Sequence, residues 1–421
     1  MTIFGLLAAL WVAGNAPTPT FSRDVAPILY QHCASCHHPG GGAPFDLLTY
    51  QDAQRRATLI AQVTHTRYMP PWLPDAPRFR NERRLTAAQI AILARWAAAG
   101  APRGNLALAP APPHFPPGWR LGKPDAEVQM RVEYHIPADG PDQYRCFDIP
   151  APEHRAYYLR AVDIRPGNPR VVHHAILFQD ITGTARQRDT GNGYSCFGTP
   201  GFLPANGIAG YTPGALPFET PPGMPGILHG NADLVLQVHY HPTGKPESDR
   251  TSIAFYFTNE KPTRHGYDIP LGSTHIDIPP GDRTYKVTDH FTLPVDVEVI
   301  AINPHAHYIC KEMTGYAVLP DGRRITLIHI PSWDFNWQQL YIYPRPLRLP
   351  ADTDVRMEFI YDNSADNPRN PNHPPKRVRY GPSTTDEMAG LHITVSPVRE
   401  SDAEELDNDL WGKMVRAMRE H

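Results

Sequence analysis

Residues 233–241 read DLVLQVHYH. Leu234, Leu236, Val238 and Tyr240 alternate with other residues, the period-two pattern of a strand with one face in a core. His239 and His241 then lie two apart and project to the same side of that strand. Runs of the same kind recur along the chain: YYLRAVDI (157–164), VVHHAILFQ (171–179), TSIAFYFT (251–258), VEVIAINPHAHYI (297–309), TGYAVL (314–319), RITLIHI (324–330), VRMEFIYD (355–362) and AGLHITVS (389–396). Gly, Pro, Asp and Asn turns separate them. Short strands at such spacing predict β-sandwiches of the jelly-roll kind. We assign one to residues 121–262 and a second to 263–400, joined near Asn259–Tyr267.

The composition agrees with a turn-rich β protein. The chain has 421 residues with 48 prolines and 31 glycines, and proline interrupts helix interiors and central strands alike. A net charge of −3 offers no basic stripe for nucleic acid. Mean hydropathy is −0.42, which excludes a bundle of membrane helices. Residues 1–16 contain an apolar run, IFGLLAALWVAGNA, of signal-peptide length, although no Lys or Arg precedes it. An exported protein, periplasmic or secreted, is expected, with no membrane span once that segment is removed. An uncleaved segment would anchor it instead.

Upstream of the β-rich region the pattern is helical. FSRDVAPILYQHCASCH (21–37) begins as a helix, residues 46–64 have helical patterning, and LTAAQIAILARWAAAG (85–100) is amphipathic. In the last, Thr86 is placed to cap, Ile90, Leu93 and Trp96 share a face, and Gly100 ends it. Residues 17–103 are therefore predicted to form a small all-α domain. Residues 104–120 are a proline-rich, semi-rigid linker. The expected fold class is multidomain: a small all-α domain, then two all-β jelly-roll sandwiches. The last stretch, 401–421, is acidic and then basic and predicts a helical tail with a solvated face.

Residues 33–37 read CASCH. Two thiols three positions apart reach the two vinyl groups of one haem, and the histidine that follows falls beneath its iron. Cys33, Cys36 and His37 are thus the candidate attachment site for one haem c. His38 points to the wrong side for the opposite axial position. His65 and Met69 are the candidates there, and Met69 is preferred because the prolines of RYMPPW stiffen its loop. This region, roughly residues 21–103, resembles class I type cytochrome c domains. Of the other cysteines, Cys146 and Cys196 are the expected disulfide and Cys310 is left over.

The histidine pairs carry the rest. His173 and His174 are adjacent, so both serve one ion only at a bulge or a strand end. His239 and His241, and His305 and His307, are each two apart. Imidazole suits copper and zinc. VVHHAILF, LVLQVHYHP, PHAHY and TTDEMAGLHI follow one another over some 250 residues. In that order they resemble the copper type II, ascorbate-dependent monooxygenases, the family of peptidylglycine α-hydroxylating and dopamine β-monooxygenase.

That resemblance implies two jelly-roll domains with one copper each. His173, His174 and His239 match the ligands of an electron-transfer copper. His305, His307 and Met388 match those of an oxygen-activating copper and are the expected catalytic residues. Met313 is the competing methionine near the HAH pair. His241 matches a residue beside the first copper. The implied activity is hydroxylation of a C–H bond in a small substrate with O2. Electrons would come through the haem from an external donor: ascorbate, a quinol-linked donor or another cytochrome. Asn303 and His392 stand where the peptide-amidating enzyme has arginine and tyrosine, and Gly390 replaces an asparagine, so a peptide-carboxylate clamp is not expected. IPSWDFNWQQLYIYP (330–344) is rich in aromatics that either line a pocket or fill a core. The rival reading is a non-catalytic copper and haem electron-transfer or copper-binding protein on the same scaffold. A haem-linked copper oxidase resembling nitrite reductase lacks the Cys–His arrangement it would need.

Overall fold

The computed structural model describes residues 17–419 except 81, 116–117, 150, 153–156, 197–198, 203–206, 214–215 and 382. The expected signal peptide, 1–16, lies outside the described residues. The chain is mostly antiparallel β-sheet, and the described residues form two compact units. One comprises residues up to 71 together with 83–114. The other comprises residues 72–82 and 115 onward.

This division corrects the expected fold class. Among the described residues there is no separate, self-contained all-α domain over 17–103, and helices are few. Ala26–His32, Tyr50–Arg55, Ala57–His65 and Ala87–Ala98 carry most of the helix in the first unit. Their chain is interrupted, because residues 72–82 leave it to complete the β unit. Phe79 is 3% exposed in a β-sheet core, with its ring 5.2 Å from those of Tyr341 and Tyr343, and Trp72 meets Tyr341 edge-on at 5.4 Å. The backbone is tied as well: Asp75 N–H donates to the His329 carbonyl, His329 N–H to Ala76, and Arg80 N–H to Ile342. These apolar residues lack helical or strand periodicity, so their partners are not visible in the local pattern.

In the first unit, Thr86 and Gln89 form a capping box at Ala87–Ala98, and Thr49 and Asp52 form another at Tyr50–Arg55. Phe21, Leu29, Leu47, Ile60, Leu93 and Trp96 fill its small core. Phe21 and Ser22 N–H groups donate to Pro102 and Arg103, which closes the unit on itself.

In the second unit, two pairs of antiparallel sheets follow one another along the chain. The first pair sets Ala126–Gln129, Ser252–Thr258, Tyr157–Arg165 and Phe218–Glu219 in one sheet, with Gly226–Leu228 also paired to the third strand. The other sheet runs Tyr194–Ser195, Gln143–Ile149, Asp233–Tyr240, Val172–Asp180, Gly207–Tyr211. Leu234, Leu236, Val238 and Tyr240 enter the core between them, as the alternation requires. The second pair sets Tyr267–Gly272, Ala389–Pro397, Val297–Ala306 and Tyr341–Leu349 in one sheet. Its companion is Tyr285–Thr292, Asp354–Tyr361, Cys310–Val318 and Arg324–Ile330.

The terminal helix Ala403–Arg419 is not merely solvated. Leu406 and Leu410 are buried in the second core, and Lys413 Nζ lies 2.7 Å from Asp289. Cys146 and Cys196 form the expected disulfide. Among the described residues no helix is long and apolar enough to cross a membrane.

The segment 72–82 is a strap whose loss should be measurable. Phe79→Ala is expected to lower stability by roughly 3–5 kcal/mol, read by denaturant unfolding. Burial alone would lower the His329 pKa, but the carboxylates of Asp75 and Glu312 outweigh it and raise the imidazole above its ordinary value. A raised folded pKa contributes stability that is full below the unfolded value and is lost as pH rises through the folded one. Amide exchange at residues 75–80 should therefore quicken as pH rises through neutrality, beyond its intrinsic pH dependence. A His329→Gln variant should show no such excess.

Candidate metal centres

The first centre is built on one strand pairing. His239 is the seventh residue of Asp233–Tyr240, on the face opposite the core, in line with Val235 and Gln237. Its neighbour across the ladder is His174. At the next step the register shifts, and Tyr240 pairs with Val172, so His173 is the extra residue of a bulge. This turns two adjacent histidines toward one side. The ligand atoms of His173, His174 and His239 all lie within 4.8 Å of one another.

Hydrogen bonds select the nitrogens that face inward. His239 is fully buried, and its Nε2 lies 2.7 Å from Asp142 Oδ2. A carboxylate accepts only, so Nε2 carries the proton and Nδ1 is left as a lone pair. That Nδ1 is buried without a hydrogen-bond partner, as is His173 Nε2. His173 Nδ1 and His174 Nδ1 are 3.4 Å apart. Two nitrogens at metal-bond lengths on one tetrahedral ion sit about 3.3 Å apart. Burial holds the His173 pKa down at about 3 and that of His174 well below its ordinary value, with neighbouring histidines adding to the effect. The rings of His173 and His174 are therefore neutral at ordinary pH, the form that binds a metal. Three imidazoles that each bring one nitrogen within 4.8 Å of the others, with His239 Nδ1 buried and unpartnered, fit a resident cation.

Asp142 also holds His241, whose Nδ1 is 2.7 Å from Oδ1. His241 is 60% exposed, so it stands beside the centre rather than in it. Tyr144 stacks on His239 at 4.1 Å between ring centroids. The Cys146–Cys196 disulfide lies on the same face, where Gln237 Nε2 approaches Cys196 Sγ at 3.6 Å.

The second group lies at the end of Val297–Ala306. His305 pairs with Gly390 and Ala306 with Ala389; His307 lies just past the strand, and its N–H and that of Met388 meet the same oxygen of Glu387. His305 Nδ1 lies 2.5 Å from Gln338 Oε1, and His307 Nδ1 lies 3.1 Å from the Asp386 carbonyl. Both acceptors fix the proton on Nδ1 and leave Nε2 as the lone pair. Burial lowers the pKa of His305 to about 4 and of His307 to about 3. Met313, the competing methionine, is fully buried in the second core. Asn303 and His392 face each other across the ladder beside His305, and His392 Nδ1 is 2.6 Å from Asp268.

Asp142 and Glu387 hold candidate ligands in place, and the sequence did not single them out. Glu387 is fully buried; its Oε2 accepts from the His307 and Met388 N–H groups at 2.8 and 3.0 Å, and its Oε1 from Ile309 at 2.8 Å. It ties the two ligand-bearing segments together, and burial raises its pKa to about 8. The only signal for it was its place in TTDEM. For Asp142, 97 residues from His239, no local signal existed. Cys310 is buried with its thiol pushed well above the ordinary value by that burial, an inert side chain.

In the first unit, Cys36 and His37 N–H groups both donate to the Cys33 carbonyl, so one tight turn carries all three residues. A Cβ at Gly41 would lie 2.2 Å from the Cys36 carbonyl, so only glycine lets the following loop fold back there. His37 Nδ1 lies 2.9 Å from the Phe45 carbonyl, which leaves Nε2 as the lone pair. Burial lowers the pKa of His37 and raises that of Cys33 to about 12. Met69 is half-buried after the helix Ala57–His65, its N–H donating to Val63, and His65 at the helix end is exposed.

No family model matches the chain. No curated protein matches it either. Solved structures with some likeness include a subviral particle of infectious bursal disease virus VP2, at 10% identity and a TM-score of 0.20, covering 65% of this chain and 71% of that one. PNGF-II has 11% identity and a TM-score of 0.25, covering 64% of this chain and 60% of that one. A two-domain protein of unknown function from Bacteroides fragilis has 8% identity and a TM-score of 0.17, with 63% and 94% covered. Likenesses at these scores carry no argument.

The hydrogen bond from His239 to Asp142 gives a direct test. Removing such a partner of a ligating histidine costs about 10–100-fold in metal affinity. Asp142→Ala should weaken metal binding at the first centre by that factor, measured by competitive titration with a chelator, and leave the second centre unchanged.

Proposed function

We propose that the chain is an exported copper-dependent monooxygenase that hydroxylates a C–H bond of a small substrate with O2. The observation that carries this reading is the convergence of His173, His174 and His239, with buried nitrogens left unpartnered. A second histidine pair, whose His307 is tied with Met388 to the Glu387 carboxyl, supports it. Imidazoles hold both copper oxidation states, and the Met388 thioether suits Cu(I). Copper there supplies one-electron chemistry and O2 activation.

The chain's own residues divide the work. Asp142, Gln338 and the Asp386 carbonyl hold three imidazoles in the tautomer that leaves a lone pair for the metal. Glu387 keeps His307 and Met388 in step. Asn303 and His392, on the face beside His305, are placed to meet a polar group of the substrate. Cys33, Cys36, His37 and Met69 would hold one haem c, which would supply one-electron transfer from an external donor such as ascorbate, a quinol-linked donor or another cytochrome. The Cys146–Cys196 disulfide suits an oxidising compartment, in keeping with an extracellular protein.

Turnover under isotopically labelled O2 tests the activity: one labelled oxygen atom should enter the product, with O2 uptake dependent on substrate. Uptake without labelled product would favour the non-catalytic electron-transfer reading. His37→Ala should slow turnover with a donor that reduces the haem, and spare turnover with a small-molecule reductant that reduces the copper directly. Equal rates with both donors would remove haem from the pathway.

A further inference from the structure

One side chain touches a histidine of each group. Phe335 stacks face to face on His173, with ring centroids 4.7 Å apart and planes 14° from parallel. It meets His307 edge-on at 5.6 Å and 87°. In series, these spacings place the His173 and His307 rings no more than 10.3 Å apart. Phe335 is 3% exposed, so the contact is dry.

The loop that carries Phe335 is anchored on both sides of it. Trp333 Nε1 donates to the His307 carbonyl at 3.0 Å, and Gln338 holds His305 Nδ1. Asp334 Oδ1 accepts from the Asn336 N–H at 3.0 Å and fixes the turn around the ring. A ring stacked flat on one imidazole and edge-on to another, from a loop bonded to the second histidine pair, has little freedom to leave.

We propose that Phe335 is the spacer that makes the two histidine groups one paired-metal centre. It fixes their separation, excludes water between them and offers a packed route from one to the other. This rests on the metal assignment made above and adds a positioning residue to it. An electron that reduces one centre then reaches the other through two ring contacts. The donor metal is oxidised by one unit, the acceptor reduced by one unit, and no atom moves. The electron itself comes from a one-electron reductant of the ascorbate class.

The experiment uses the full chain loaded with Cu(II), with copper content measured first. Pulsed electron paramagnetic resonance then reads the dipolar coupling between the two ions, and rapid one-electron reduction reads the rate at which the electron equilibrates between them. The wild type should show a single narrow distance. Phe335→Ala should keep both coppers, broaden the distance and slow equilibration on the order of tenfold to a hundredfold, the scale of an ångström-sized misplacement. Phe335→Tyr, which keeps the ring, should restore both readings, and it serves with Phe335→Leu should the alanine variant not fold. Two coppers with unchanged distance and rate in the alanine or leucine variant would overturn the spacer role alone. Fewer than two coppers in the wild type would overturn the metal assignment and the spacer with it.

Discussion

A single register shift determines what the first centre is able to do. Adjacent residues of a regular strand point to opposite faces, so His173 and His174 could not both serve one ion if the ladder ran unbroken. The bulge opposite Tyr240 inserts His173 as an extra residue and brings both rings to the side where His239 already stands. The convergence of three imidazoles within 4.8 Å depends on this placement, and His239 adds the Asp142 hydrogen bond and the stacked Tyr144. The core strands hold the shift in place. Leu234, Leu236, Val238 and Tyr240 must stay inside, and slipping by one residue would expose all four.

The second group is held by a different device. His305 sits on the ladder, but His307 lies just beyond the strand end, where no sheet partner fixes it. A buried carboxyl group does so instead. Glu387 accepts three backbone N–H groups from the turn after the strand and from Met388, so the methionine and the histidine move as one piece. Keeping a carboxyl fully buried costs free energy that only such a set of donors offsets. A position of this cost in an otherwise apolar core is consistent with a demand on geometry rather than on stability.

The strands were legible because a half-buried strand writes its own alternation, and LVLQVHY shows it plainly. The bulge was legible only as a condition: HH requires one, but nothing in VVHHAILF says that it is there. The strap at 72–82 was hidden. Trp72, Leu73 and Phe79 have no period of their own, and their partners lie more than two hundred residues away, so the helical segments around them suggested one continuous domain. Asp142 and Glu387 were equally silent, since acidic residues near turns are ordinarily solvated and only folding reveals their burial. Phe335 stood in a segment whose aromatics fitted a pocket or a core. Trp333 and Tyr341 went to the core, and Phe335 went between the histidines.

The central claim is that these ligands form two metal centres in one chain, and elemental analysis of the copper-reconstituted protein tests it most directly. The account requires two coppers per chain in the wild type and one in a His305→Ala/His307→Ala variant, with the His173, His174 and His239 centre still filled. One copper or none in the wild type, or an unchanged count in the variant, would contradict it.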